Sequence, residues 1–143
     1  MTLLLLFGGA FLAATILPFS SEAMLAAALA AGSEPWPALL AAGSGNTLGA
    51  MAMWGLARLA YGWLEPRLGP KARRRLDRAG GWLRCWGLWA LLLSWLPVIG
   101  DAIPIAAGVA RSAFWPTLAL VAIGKFARYA ALIGLFALGV AQG

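Results

Sequence analysis

Long apolar runs broken by short segments with proline and polar residues dominate the chain. The first run ends at residues 18–22, and a shorter run of small residues follows before the break at 33–35. A proline followed by polar residues ends a helix, and about 11 apolar residues are too few to cross a membrane, which takes ~20. The pattern therefore predicts a re-entrant hairpin and then a tilted spanning helix over 36–63. The tip of this hairpin would contain Pro18, Ser20 and Ser21.

The second half of the chain has similar punctuation. An apolar run that begins at Trp86 is interrupted at 96–101, and a short apolar segment then leads to Arg111. The next apolar segment, 114–139, is long enough to be a second spanning helix. The tip of the second hairpin would contain Pro97, Gly100 and Pro104.

The two halves align without a gap at an offset of 79 residues. Matching pairs include Pro18 with Pro97, Glu22 with Asp101, and Trp36-Pro37 with Trp115-Pro116. Proline, tryptophan and acidic residues that match in one register indicate a structural repeat. Because each half would have an odd number of crossings, the halves would enter the membrane from opposite sides. The expected fold is an all-α integral membrane protein, an inverted repeat of two re-entrant helical hairpins, each followed by one spanning helix.

Composition supports a membrane environment and excludes several kinds of chemistry. Of 143 residues, 62% are hydrophobic and 11% are charged, whereas a soluble domain has about a quarter charged. The chain contains no histidine, which excludes Ser-His and Cys-His nucleophiles and histidine metal sites. Cys85 is the single cysteine and reads as a thiol at the membrane edge. We therefore expect no metal and no cofactor.

Segment 65–84 is the one substantial hydrophilic stretch, with seven of the eleven basic residues. The positive-inside rule places it in the cytoplasm of a bacterial inner membrane, where its cations would contact anionic headgroups. A partner or nucleic-acid site is the alternative interpretation. The expected layout is one multi-pass membrane domain over 1–143, with a first repeat half over 1–64, the basic cytoplasmic loop over 65–84 and a second half over 85–143.

Four ionisable residues are predicted to lie at membrane depth. Glu22 and Asp101 each follow a helix-breaking proline, where a carboxylate either carries a proton or caps the next helix. Lys125 and Arg128 share one face of the last helix, where they either pair with these acids or hold a phosphate-like anion. Asn46 occupies the position equivalent to Lys125 in the first half. The predicted site is therefore polar on one side and cationic on the other.

Three segments carry a family resemblance: LPFSSEAMLAAALAAG, SGNTLGAMAMWGLARLAYG and LLLSWLPVIGDAIPIAAGVARSAFWPTLALVAIGKFARY. They resemble the DedA (SNARE-associated, VTT-domain) family, most closely its short YqaA-type branch. The resemblance implies two opposed re-entrant hairpins and movement of phospholipids or polyprenyl-phosphate carriers, linked to the proton motive force. It also implies that Glu22 is the acidic position of the first tip.

The chain departs from the family pattern at two places. Gly100 is followed by Asp101 where many members have an arginine, and Gly49 is followed by Ala50 where many have an aspartate. Lys125 and Arg128 would replace the missing cation. The substrate therefore does not follow from the resemblance.

The leading functional hypothesis is a lipid flippase or scramblase. An anionic lipid headgroup would meet Lys125 and Arg128 while Glu22 or Asp101 exchanges a proton. A small-ion or drug/proton antiporter would use the same residues, and a non-transporting assembly protein would use them only as buried ion pairs. An enzyme is not expected, because no nucleophile with a base is visible. The expected partners are membrane lipids and protons, with no nucleic acid, and a homodimer is allowed.

Overall fold

A computed structural model describes residues 3–13, 21–96 and 99–142, and these residues are helical with short turns. The α-helices are α1 (Leu3–Ala13), α2 (Ser21–Ala30), α3 (Pro35–Leu64), α4 (Pro70–Trp86), α5 (Ala102–Val109) and α6 (Phe114–Gln142). Three 3₁₀ segments cover Glu65–Arg67, Gly87–Trp95 and Ile99–Asp101. The described ranges contain no strand, in agreement with the predicted all-α class. The tip residues Pro18, Ser20 and Pro97 lie outside the described residues.

Two long helices, α3 and α6, dominate the architecture. They contain 30 and 29 residues, so each extends for about 45 Å at ~1.5 Å per residue. Their bounds agree with the predicted spans 36–63 and 114–139, although Ala60 interrupts α3 with φ −146° and ψ 46°. By length and composition, one described helix can cross a membrane, over Phe114–Gly139. The small and polar residues at the centre of α3 lower its hydropathy.

The remaining elements are short and pack against the long helices. Helices α1, α2 and α5 contain 11, 10 and 8 residues, fewer than a crossing requires. Helix α1 packs along α3, and Gly87–Trp95 packs along α6. In each half of the chain, short elements are followed by one long helix. The start of α6, Phe114, lies 79 residues after the start of α3, Pro35, which is the offset found in the sequence.

Helices α3 and α6 run in opposite directions. Towards the end of α3, the Trp54 ring lies 5.7 Å from that of Phe114, in the first turn of α6. Towards the start of α3, a Cβ on Gly43 would lie 2.5 Å from the ring of Phe126, further along α6. The first turns of α3 also share an apolar cluster with Tyr129. Small residues in α3 allow this close approach of the two helices.

Three clusters of buried apolar side chains hold the elements together. The first joins α3, α4, α5, α6 and Gly87–Trp95, with Trp54, Ile103 and Val121 among its members. The second joins α1, α2 and the start of α3 to Tyr129 of α6. A third, smaller cluster lies in the second half of α3. Outside these clusters many large apolar side chains are exposed, as expected for a surface that faces lipid.

The basic segment 65–84 is helical over most of its length. Helix α4 starts with Pro70 in its first turn, which is a favourable position for proline. Ala79 belongs to the first apolar cluster, and Leu76 and Leu83 pack against it at helical spacing, whereas the lysine and arginine residues of α4 are exposed. Nη1 of Arg73 lies 3.7 Å from Oε1 of Glu65, with which it forms an exposed ion pair.

Candidate functional site

Lys125, near the middle of α6, has a fully buried side chain. Its Nζ donates a hydrogen bond of 2.5 Å to Oδ1 of Asp101, whose side chain is 33% exposed. Asp101 is the residue before α5, and its side chain makes no capping hydrogen bond to that helix. A buried ammonium is costly unless a counter-charge touches it, so Asp101 stabilises the buried charge of Lys125. The Asp101 carboxylate thus forms an ion pair with Lys125 and does not cap α5.

Asn46 of α3 holds the position equivalent to Lys125 and is also buried, at 1% exposure. Its Nδ2 donates a hydrogen bond of 2.9 Å to the backbone oxygen of Ala10 in α1. Each long helix therefore uses a buried polar side chain to contact an element that precedes it in its own half. The contact is neutral in the first half and charged in the second.

Glycines next to these two residues bring the short elements close to the long helices. A Cβ on Gly45 would overlap the backbone oxygen of Phe7 in α1. A Cβ on Gly124 would lie 2.5 Å from Oγ of Ser94, in the Gly87–Trp95 segment. The short elements can reach Asn46 and Lys125 because both neighbouring positions lack a side chain.

Three buried polar atoms have no hydrogen-bond partner within the described part of the chain: Asn46 Oδ1, Thr47 Oγ1 and Ser94 Oγ. Ser94 is fully buried beside Gly124 and Gly100, the neighbours of Lys125 and Asp101. A buried polar atom without a partner costs ~1 to 3 kcal/mol. Such atoms are therefore candidates for contact with a ligand or water. Sequence reasoning missed Ser94, although it is a polar residue inside an otherwise apolar run.

The polar stretches of the two long helices lie at the same level. Gly43 faces Phe126 on one side of this level, and Ala50 shares an apolar cluster with Val121 on the other. Lys125 lies between these two contacts on α6, as Asn46 does on α3. We use the name polar layer for the set Asn46, Thr47, Ser94, Asp101 and Lys125.

The other predicted site residues have different surroundings. The guanidinium of Arg128 is partly buried and lies 5.6 Å from the centre of the Tyr129 ring. Gly100, in the Ile99–Asp101 segment, and Pro104, in the first turn of α5, are both buried. Ser21 and Glu22 begin α2, but their side chains lie outside the described part of the structure. The structure thus brings Lys125 to Asp101 and leaves the side chain of Glu22 undescribed.

A second polar cluster joins the end of α3 to the turn between α5 and α6. Trp54 Nε1 donates to Ser112 Oγ at 2.9 Å, and Arg58 Nη1 donates to the Ser112 backbone oxygen at 3.0 Å. Ser112 and Thr117 share a hydrogen bond of 2.7 Å between their hydroxyls. Because these groups have hydrogen-bond partners within the protein, the cluster stabilises the packing of α3 against the turn before α6. The polar layer differs because three of its atoms have none.

The described ranges contain no cluster of three or more acidic, histidine or cysteine side chains that could hold a metal ion. The polar layer instead offers an ammonium, a carboxylate, hydroxyls and an amide. An ammonium and hydroxyl groups can donate hydrogen bonds to an oxyanion, and the carboxylate can exchange a proton. The layer is therefore suited to an anionic group, a proton or both.

Comparisons with known proteins identify the family. The VTT domain model matches residues 17–138. The inner membrane protein YqaA of Escherichia coli (strain K12) is 40% identical over 133 residues, covering 92% of this chain and 89% of that protein. A protein of Haemophilus influenzae is 39% identical over 142 residues, covering 94% and 87%. No solved structure matches the chain. The chain belongs to the VTT-domain (DedA) family.

Proposed function

We propose that this protein is an inner membrane transporter of the flippase or scramblase type, which moves an anionic phospholipid or polyprenyl-phosphate headgroup through the polar layer. One observation carries the proposal. The fully buried Lys125 is paired with Asp101 in the middle of a helix that is long and apolar enough to cross a membrane. Charges at membrane depth are costly and usually mark ion, proton or substrate paths. The printed name of the Escherichia coli relative supports the inner membrane location.

In this proposal α3 and α6 both span the membrane, and the two halves form an inverted repeat with re-entrant hairpins. The antiparallel course of the two helices supports this arrangement. Trp36 and Trp115, in their first turns, are 73% and 74% exposed. On antiparallel helices these two side chains would anchor opposite membrane faces, where tryptophan is enriched. The basic face of α4 would then lie at the cytoplasmic surface.

The Lys125–Asp101 pair gives the proposal a mechanism. A phosphate oxygen can replace the Asp101 carboxylate on Lys125, because both are oxyanions that accept hydrogen bonds from an ammonium. Asp101 would take up a proton as it leaves Lys125, which keeps the layer close to neutral. Ser94 and Thr47 would donate hydroxyl hydrogen bonds to the same headgroup. Arg128 would supply the next cation along α6, and Glu22 would exchange a proton in the first half.

Reconstitution into vesicles with fluorescent phosphatidylglycerol tests this function. A membrane-impermeant quencher measures how fast label in the inner leaflet becomes exposed, with and without an imposed pH gradient. We expect Asp101→Asn and Lys125→Gln to slow exposure about tenfold or more, a change of ~1.4 kcal/mol or more in the barrier. The matched control is Glu65→Gln with Arg73→Gln, which removes an exposed ion pair and should leave the rate unchanged.

Other outcomes would replace the proposal. No exposure above that of protein-free vesicles would contradict lipid movement, and proton flux without lipid movement would favour an antiporter. Full transport by a charge-swapped Asp101→Lys, Lys125→Asp protein would reduce the pair to a structural element.

A further inference from the structure

A cleft of about 440 Å³ lies between the end of α3, the middle of α4 and the end of α5. Its walls are mostly apolar and include Leu76 and Leu83 of α4 and Val109 of α5. Its volume falls in the range of small-molecule sites, ~300 to 1,000 Å³. The cleft shares no residue with the polar layer, so it is a separate feature of the molecule.

The cleft contains charges of both signs on one helix. Asp77 and Arg84 of α4 both line it, together with Tyr61 of α3. They lie seven positions apart, and seven residues are close to two helical turns, so both project from the same side of α4. Within the described part of the chain, Asp77 and Arg84 form no ion pair with each other.

The guanidinium of Arg84 lies beside two glycines of the preceding turn of α4. Its Nη1 and Nη2 would lie 3.6 and 3.9 Å from Cβ atoms added to Gly80 and Gly81. The guanidinium therefore folds back along α4 in the direction of Asp77, as side chains on a helix lean towards its N-terminus. The cleft thus has a cation and an anion in one mostly apolar lining.

We propose that this cleft binds the headgroup of a zwitterionic phospholipid with a protonated primary amine. The lipid phosphate would contact Arg84, the ammonium would contact Asp77, and the glycerol and upper acyl chains would cover Leu76, Leu83 and Val109. A headgroup with separated charges fits two unpaired charges of opposite sign better than a single anion does. This inference stands independently of transport through the polar layer.

The surrounding charges favour this choice over an anionic lipid. Arg74, Arg75 and Arg78 of α4 are exposed but do not line the cleft. These cations attract any anionic headgroup to the surface of α4. Within the cleft, however, Asp77 repels a lipid that has only negative charge, and it attracts one that also has an ammonium.

Native mass spectrometry of the purified full chain tests the proposal, with phosphatidylethanolamine and phosphatidylglycerol of identical acyl chains as probes. We expect wild-type protein to prefer phosphatidylethanolamine about fivefold, the size that one exposed charge pair can supply. Asp77→Asn should lower this preference to about twofold or less, and Asp77→Glu should restore it. Arg84→Gln should weaken binding of both lipids. The control Arg74→Gln should leave the preference unchanged, because Arg74 lies outside the cleft.

Equal or stronger binding of phosphatidylglycerol by the wild-type protein would overturn the proposal, and so would an unchanged preference in Asp77→Asn. Melting temperatures of all variants establish that they are folded. Mass spectrometry and the vesicle assay together distinguish this proposal from transport through the polar layer. Asp101→Asn should retain the lipid preference of the cleft, whereas Asp77→Asn should retain movement of phosphatidylglycerol.

Discussion

In the first half of the molecule the buried polar residue of the long helix is Asn46, and in the second half it is Lys125. Both occupy equivalent positions, both are at most 1% exposed, and both contact an element that precedes them in their own half. The first contact is an amide to a backbone oxygen, and the second is an ammonium to the side chain of Asp101. The two residues therefore share a position on the long helix but not a partner position, because at the offset of 79 residues Asp101 corresponds to Glu22 and not to Ala10. A comparison of the two contacts therefore separates the stability that a buried polar contact provides from the stability that depends on charge.

The largest expected effect on stability comes from removing one partner of the Lys125–Asp101 ion pair. Asp101→Ala should lower the free energy of unfolding by about 3 kcal/mol, the lower end for a broken buried pair because Asp101 is partly exposed. The double variant Asp101→Ala, Lys125→Met should recover most of this loss, since no unpaired charge remains. Thermal unfolding in detergent measures both. Equal stability of the single and double variants would show that the pair contributes little to the fold.

The neighbouring glycines should respond unequally. Gly45→Ala places a methyl group against the backbone of α1, which cannot move away without shifting the helix, so we expect a loss of ~1 to 3 kcal/mol. Gly124→Ala meets the Ser94 hydroxyl first, which can rotate, so its loss should be smaller. Urea or thermal unfolding of the two variants gives the order. A larger loss for Gly124→Ala would contradict the closer backbone approach at Gly45 than at Gly124.

The neutral contact of Asn46 should contribute less to the free energy of unfolding than the charged contact of Lys125. Asn46→Ala leaves the Ala10 backbone oxygen without its donor, which should cost ~1 to 2 kcal/mol. Thr47→Val is the matched control, because the Thr47 hydroxyl has no partner within the described structure. Its replacement should keep or raise stability while it slows lipid movement in the vesicle assay. Unchanged transport by both Thr47→Val and Ser94→Ala would remove these hydroxyls from the proposed path.

The smallest effect should come from the exposed ion pair. Arg73 and Glu65 have side chains that are 50% and 47% exposed. Arg73→Gln should therefore change the free energy of unfolding by about 1 kcal/mol or less, and salt should reduce the change further. Melting temperatures at low and high salt provide the measurement. A loss as large as that of Asp101→Ala would mean that burial does not separate the two pairs.

Several features were predictable because they depend on neighbouring residues alone. The bounds of α3 and α6 follow from the lengths of their apolar runs and from the prolines in their first turns. The offset of the repeat and the family follow from the order of residues. The basic charge of segment 65–84 identifies it as the hydrophilic part of the chain. That one apolar face of its helix is buried follows only from the packing of α4 against α5.

The choice of partners needed the tertiary structure. The sequence predicts that Lys125, Arg128, Glu22 and Asp101 lie at membrane depth, but it leaves open which of them pair and whether Asp101 caps a helix. The Lys125–Asp101 contact depends on how Gly87–Trp95 and the start of α5 pack against α6. No local sequence pattern determines this packing. The same holds for Ser94, whose burial beside Gly124 arises from two segments far apart in the chain. Apolar length and proline position act along the chain, whereas the partner of a buried charge is decided by which helices meet.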